Sequence, residues 1–247
     1  MKISIGSVTD AGRYRKKNQD RIVAHYKRCN VDDLTVVCVC DGIGIFYNSE
    51  ISAEMITQGI ARWFEGIIQH YPSSFQRENL LEDLEITIQE LNELIYEYRR
   101  MNAEDIGCTM SLLLILNQEY FVFHVGDSRI YCLRDALTQI TVDEVSVKES
   151  QGKMKSVLAN YVGKTEELWM NKFSGEVMED DLFIAGSDGL YKRMTYEDCF
   201  PLKKQITNDK QAVNACVELI NMVIDLGEKD NVSCGIVSVD KERRLFK

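Results

Sequence analysis

Only two prolines, Pro72 and Pro201, interrupt the 247 residues, and no stretch is rich in glycine and serine. No linker or domain boundary is therefore readable, and the expectation is a single domain over residues 1–247. Internal repeats and low-complexity tracts are lacking too, which excludes solenoid and fibrous architectures. No apolar run approaches the roughly 18–20 residues that a transmembrane helix needs. Met1-Lys2-Ile3-Ser4 leads into an alternating segment without the apolar core of a signal peptide. A cytoplasmic location with no membrane partner is expected.

Basic charge is scarce as well. Lys plus Arg number 29 against 39 Asp plus Glu, a net charge of −10. Nucleic-acid binding runs on cationic surface, so that class is excluded. Histidine is sparse (His25, His70, His124), and no Cys-x-x-Cys occurs, which argues against a structural zinc site. Cys38, Cys40, Cys108, Cys132 and Cys234 lie in or beside apolar runs, where a reduced thiol packs as a small hydrophobe. Cys108 reads as core rather than nucleophile.

What is present is a clear order of elements. Lys2–Val8, Arg21–Lys27 and Leu34–Cys40 read as strands, the last buried on both faces. Helices follow over Glu50–His70 and Glu78–Met101, with Pro72 between them; Leu80, Leu81, Leu84, Ile86, Ile88, Leu91, Leu94 and Ile95 form the stripe of the second. Strands return at Gly107–Leu116, Tyr120–Val125 and Arg129–Arg134, with Asn117-Gln118 as a hairpin turn. Residues 143–164 carry no clear pattern. Strands at Leu168–Gly175 and Leu182–Ala185 precede a helix over Gln211–Leu226 with a Val213, Cys216, Val217, Ile220, Val223, Ile224 stripe, and Val232–Val239 is a closing strand. Runs of strands broken by helix pairs indicate an α+β fold with antiparallel sheet covered by helices.

The informative residues are aspartates. Asp41, Asp127 and Asp188 each follow a strongly apolar strand, and Asp230 precedes one. A single Asp-Gly is most simply a turn. Four carboxylates at the ends of core strands could instead converge, and would repel one another unless a cation neutralised them. Oxygen ligands without His or Cys select a hard ion such as Mg²⁺ or Mn²⁺, and a pair of such ions suits phosphoryl hydrolysis.

These residues also sit in recognisable strings. Thr9-Asp10-Ala11-Gly12 with Arg15-Lys16-Lys17-Asn18-Gln19-Asp20, then Asp41-Gly42-Ile43-Gly44, Gly126-Asp127-Ser128-Arg129-Ile130-Tyr131, Ser187-Asp188-Gly189-Leu190 and Asp230-Asn231-Val232-Ser233 follow one another across the chain. In that order they resemble the motifs of the metal-dependent type 2C (PPM) protein serine/threonine phosphatases, in the form of the bacterial branch.

The resemblance implies a four-layer α-β-β-α sandwich, with two mostly antiparallel sheets flanked by helix pairs. It implies hydrolysis of phosphoserine and phosphothreonine in proteins by direct attack of metal-bound hydroxide. Asp41 would bridge two Mn²⁺ or Mg²⁺ ions and the Gly42 carbonyl would bind one. Asp188 and Asp230 would complete the protein ligands, and Asp127 would serve a third, weaker ion together with Asp188. Arg15 would hold the substrate phosphate, a role suited to a planar guanidinium. Asn231 would orient Asp230. Arg15, Asp41 and Asp188 are thus the expected catalytic residues, phosphorylated proteins the partners, and a cognate serine/threonine kinase a further one.

Three departures bear on these expectations. Phe46 stands where the resembling family has a histidine thought to protonate the leaving alkoxide, and general acid catalysis is typically worth about 10²–10⁴-fold. Gln19 replaces a commoner glutamate that reaches a metal through water. The segment 143–164 is short where relatives carry a flap beside the substrate groove. The rival reading is a catalytically impaired pseudophosphatase that binds phosphoproteins or other partners.

Overall fold

The structure is a computed structural model, and it describes residues 1–29, 32–70, 76–150 and 153–240. Pro72, expected between the first two helices, lies outside the described residues. Twelve strands and six helices follow in the order β1 (Lys2–Asp10), β2 (Arg21–Arg28), β3 (Asp33–Cys40), α1 (Ser49–His70), α2 (Arg77–Asn102), β4 (Met110–Leu116), β5 (Glu119–Val125), β6 (Arg129–Leu133), β7 (Leu137–Gln139), β8 (Val145–Ser150), β9 (Lys153–Leu158), β10 (Asn171–Glu176), β11 (Leu182–Gly186), α3 (Asp188–Tyr191), α4 (Tyr196–Cys199), α5 (Leu202–Gln205), α6 (Asp209–Asp225) and β12 (Val232–Asp240).

Two five-stranded sheets form the centre, one ordered β1-β12-β11-β6-β7 and the other β10-β5-β4-β3-β2. Every pairing within them is antiparallel. The sequence of β3 shows why they stack. Its side chains alternate between faces, yet both faces are apolar. Leu34, Val36, Cys38 and Cys40 pack under α1 and α2 with Leu112, Leu114, Ile56, Ile60, Leu84 and Ile88. Val37 and Val39 point the other way, into a layer shared with Leu113, Ile115, Phe183, Val237 and Val239. β12 repeats the logic on the first sheet: Val232, Cys234 and Ile236 pack under α6 against Cys216, Ile220 and Val223, while Val237 and Val239 join the middle layer. The expected helix–sheet–sheet–helix layering follows, with α6 and the one-turn helices as the second outer layer.

Local chemistry sets the element ends. Asn117, at φ 55°, turns β4 into β5, so that Leu116 pairs with Glu119. This is the expected two-residue hairpin, and Asn tolerates the left-handed backbone it needs. Asn208 caps α6 by accepting from the Gln211 N–H at 3.0 Å. All eight cysteines are free thiols, and Cys108 is buried in the core as expected.

Several details differ from the sequence pattern. Ile86 and Leu94 on α2, and Val213 and Val217 on α6, face solvent, because these helices rest only one side on the sheets. β10 starts at Asn171 rather than Leu168, since Leu168 is buried against α2, where Gln89 bonds both its N–H and its carbonyl. Residues 143–164 contain an antiparallel ribbon, β8 and β9, anchored where the Ala159 N–H donates to the Glu144 carbonyl.

Candidate active site

Antiparallel geometry decides where the aspartates fall. β3 ends, β4 begins and β5 ends at one edge of the second sheet, and β11 ends and β12 begins at one edge of the first. Asp41 follows β3, Asp127 follows β5, Asp188 follows β11 and Asp230 precedes β12. Asp20, immediately before β2, joins them. The loop 11–20, carrying Arg15, hangs from the end of β1 beside β12.

Hydroxyl and amide bonds fix these loops. The Asp41 N–H donates to Thr109 Oγ1 at 2.9 Å, and Thr109 Oγ1 lies 2.7 Å from Ser128 Oγ, which ties the Asp41 and Asp127 loops together. Ser233 donates to Asp20 Oδ2 at 2.9 Å, and its N–H donates to Ser187 Oγ at 3.0 Å, so Asp20 and Asp188 share a frame across the two sheets. Glu228, buried, accepts from the Asp230 N–H at 3.1 Å. Gly189 lies so close to the neighbouring strand that a Cβ would stand 2.1 Å from the Asn231 carbonyl oxygen, so no larger residue fits. Gly42 is buried, its N–H donating to the Gln19 carbonyl at 3.2 Å.

The electrostatics are those of crowded anions. Burial, with repulsion from Asp20, Asp188, Asp127 and Asp230, holds the Asp41 carboxyl well above the usual carboxylate range. Burial pushes Asp20 and Asp127 each up to about 6. Asp188 is raised by burial against the opposing pull of Lys192, whose Nζ lies 2.5 Å from Asp188 Oδ2. Arg15 Nη2 donates to Asp230 Oδ2 at 2.7 Å, and that bond, with the fields of Asp41 and Asp188, raises the guanidinium further above its usual value.

Two observations test whether divalent ions fit. Asp188 Oδ1 is buried and has no hydrogen-bond partner. Asp41, the most crowded carboxylate, has no ion-pair partner among the described residues. Both are unmet electrostatic demands that a hard cation satisfies. The side chains are close enough to repel one another, yet among the described residues no three acidic, histidine or cysteine side chains have drawn into one coordination group. The donor set is all oxygen, as Mg²⁺ and Mn²⁺ prefer.

The structure therefore gathers Arg15, Asp41, Gly42, Asp127, Asp188 and Asp230 at one end of the sandwich. It adds three residues that sequence reasoning left without a role: Asp20, Glu228 and Lys192. Asp20 was visible inside its motif. Glu228 and Lys192 acquire meaning only from the fold. Asn231 does more than attend its neighbour. Its N–H donates to Asp230 Oδ1 at 2.9 Å, while its side chain accepts from the Gln19 N–H and donates to the Ala11 and Lys17 carbonyls. Gln19 turns its amide to the Phe46 carbonyl at 2.9 Å.

Carboxylates at the joined ends of two sheets, with a guanidinium among them, have the make-up of a phosphohydrolase centre. The comparisons with known proteins narrow this. The family described as "Protein phosphatase 2C" matches residues 13–222, and the chain belongs to that family, whose members are phosphoprotein phosphatases. It is 27% identical to the protein phosphatase PhpP of Streptococcus pneumoniae, covering 97% of this chain and 99% of that protein. It is 24% identical to the serine/threonine phosphatase stp of Listeria monocytogenes, covering 94% of each. Its fold is that of the Mycobacterium tuberculosis serine/threonine phosphatase PstP/Ppp, with a TM-score of 0.76 and 21% identity over 97% of this chain and 99% of that one. No helix of the described residues is long and apolar enough to cross a membrane.

Proposed function

We propose that the chain, as one catalytic unit, hydrolyses phosphoserine and phosphothreonine esters in proteins with the help of two Mn²⁺ or Mg²⁺ ions. The observation that carries this reading is the unpartnered, buried Asp188 Oδ1 beside a crowded Asp41. Asp41, the Gly42 carbonyl, Asp188 and Asp230 would hold the ions, which when bound supply neutralising charge and an activated water for in-line attack at phosphorus. Arg15 binds the phosphate: its exposed position and planar donors suit a phosphoryl group better than the single carboxylate oxygen it now bonds. Asn231 positions Arg15 through the loop it clamps. Phosphorylated proteins are the substrates, and a serine/threonine kinase that makes them is the natural counterpart.

The test is hydrolysis of p-nitrophenyl phosphate by metal-free protein titrated with Mn²⁺ or Mg²⁺, with Asp188→Ala as control. Metal-dependent turnover that the variant loses is expected. Absence of turnover in a chain that binds metal by calorimetry would replace this reading with the non-catalytic one.

A further inference from the structure

α3 is a single turn that begins at Asp188, so residue 192 returns beneath it. The backbone closes that turn, with the Lys192 N–H donating to the Asp188 carbonyl at 3.2 Å. The side chain closes it again: Lys192 Nζ takes Asp188 Oδ2 at 2.5 Å. The carboxylate is thereby divided, with Oδ2 on the ammonium and Oδ1 buried and unpartnered. Asp127, the other carboxylate of the implied third site, has no ion-pair partner among the described residues.

A third divalent ion shared by Asp127 and Asp188 is what the sequence resemblance implies. Such an ion would need the oxygen that Lys192 holds, and it would sit beside a fixed positive charge. Resting on the two-ion reading above, we propose that Lys192 is a resident cation that takes the place of the third ion. The centre then binds two divalent ions through Asp41, the Gly42 carbonyl, Asp230 and Asp188 Oδ1, and Asp127 holds none. Lys192 is a positioning residue: it orients Asp188 so that Oδ1 is offered to the ions and Oδ2 is withheld. An ammonium is a compact point charge on a flexible stem, able to fill a cation's place without a rigid ligand shell.

The experiment counts Mn²⁺ per chain, by calorimetry and by metal analysis of the loaded, desalted protein. Lys192→Met is expected to bind one more ion than the native chain, and Lys192→Arg, which keeps the cation, to match the native count. Equal non-zero counts in the native chain and Lys192→Met overturn the assignment. Asp127→Asn in the otherwise native chain asks the same question without disturbing α3. An unchanged count supports the proposal, and the loss of one ion overturns it. A native chain that binds no ion at all overturns the two-ion reading together with it. The first result is thus separable from a failure of the phosphatase reading.

Discussion

Arg15 Nη2 stands 2.7 Å from Asp230 Oδ2, so the guanidinium that the motif assigns to phosphate rests on a carboxylate assigned to metal. The pair is partly exposed, with side-chain exposures of 41% and 31%, and so is open to exchange with either ligand. Hydrogen bonds to charged groups contribute about 1.5–3 kcal/mol. Arg15→Ala should therefore lower kcat/KM for a phosphopeptide by roughly 10–100-fold. The same change frees Asp230 and should tighten Mn²⁺ binding measured by calorimetry. Weakened metal binding in Arg15→Ala would show that the guanidinium supports the carboxylates instead of competing for one.

The crowded carboxylates predict a pH dependence. Asp20 and Asp127 are held up at about 6 in the folded chain, against about 3.9 for an unperturbed aspartate. A raised acid makes the folded state the better proton binder between those values. Stability of the metal-free protein is therefore greatest at the acid end of that window and is lost as pH rises through about 6. Mn²⁺ binding needs Asp41 and Asp188 ionised, and both are raised in the metal-free protein, so the rise in melting temperature it confers should be small near pH 5 and grow to several degrees by about pH 7.5. Scanning calorimetry with and without metal measures it, and a metal shift independent of pH would contradict it.

Asn231 offers a third test. Its side chain makes three bonds to the loop 11–19, at 2.9 Å to the Gln19 N–H and 3.0 Å to each of the Ala11 and Lys17 carbonyls. It is buried, so removal leaves those backbone groups unsatisfied. Asn231→Ala should cost about 1–3 kcal/mol of stability. Because the loop carries Arg15, KM for phosphopeptide should rise more than kcat falls. Hydrogen exchange should quicken across residues 11–19. Exchange unchanged there would remove the clamp from the account.

The sequence was most legible where burial writes a strong pattern. β3, β4 and β12 are apolar on both faces, and Asp41 and Asp230 stand at the ends of those runs in the sequence itself. α3, α4 and α5 have four residues each, too few for a periodicity to register, so the turn that brings Lys192 under Asp188 was invisible. The ribbon β8–β9 packs little against the core, and Val145, Val147 and Met154 remain exposed, so nothing forced its residues into a core-facing pattern. Adjacency alone relates Asn231 to Asp230, and only its backbone N–H bonds that carboxylate; its side chain serves a loop over two hundred residues earlier, a relation that the pairing of β1 with β12 creates.

Phe46 sets the last prediction. It packs edge-on against Tyr161 with ring centroids 6.0 Å apart, and its carbonyl accepts from the Gln19 amide. The Phe46 ring has no proton to hand to a departing alkoxide. We expect solvent to protonate the leaving group. Aryl phosphates leave as stabilised phenolates and need little protonation; phosphoserine and phosphothreonine esters leave as alkoxides and need it fully. The deficit relative to a histidine-bearing relative should therefore fall on phosphopeptides and spare p-nitrophenyl phosphate. Phe46→His should raise the phosphopeptide rate by up to about 10²-fold, the lower end of what a general acid supplies, and leave the aryl phosphate rate nearly unchanged. The new activity should carry an alkaline limb in its pH–rate profile, falling as pH rises through the ordinary histidine value of about 6.5. Equal gains on both substrates would mean that the substitution acts through the loop 41–48 rather than through a proton.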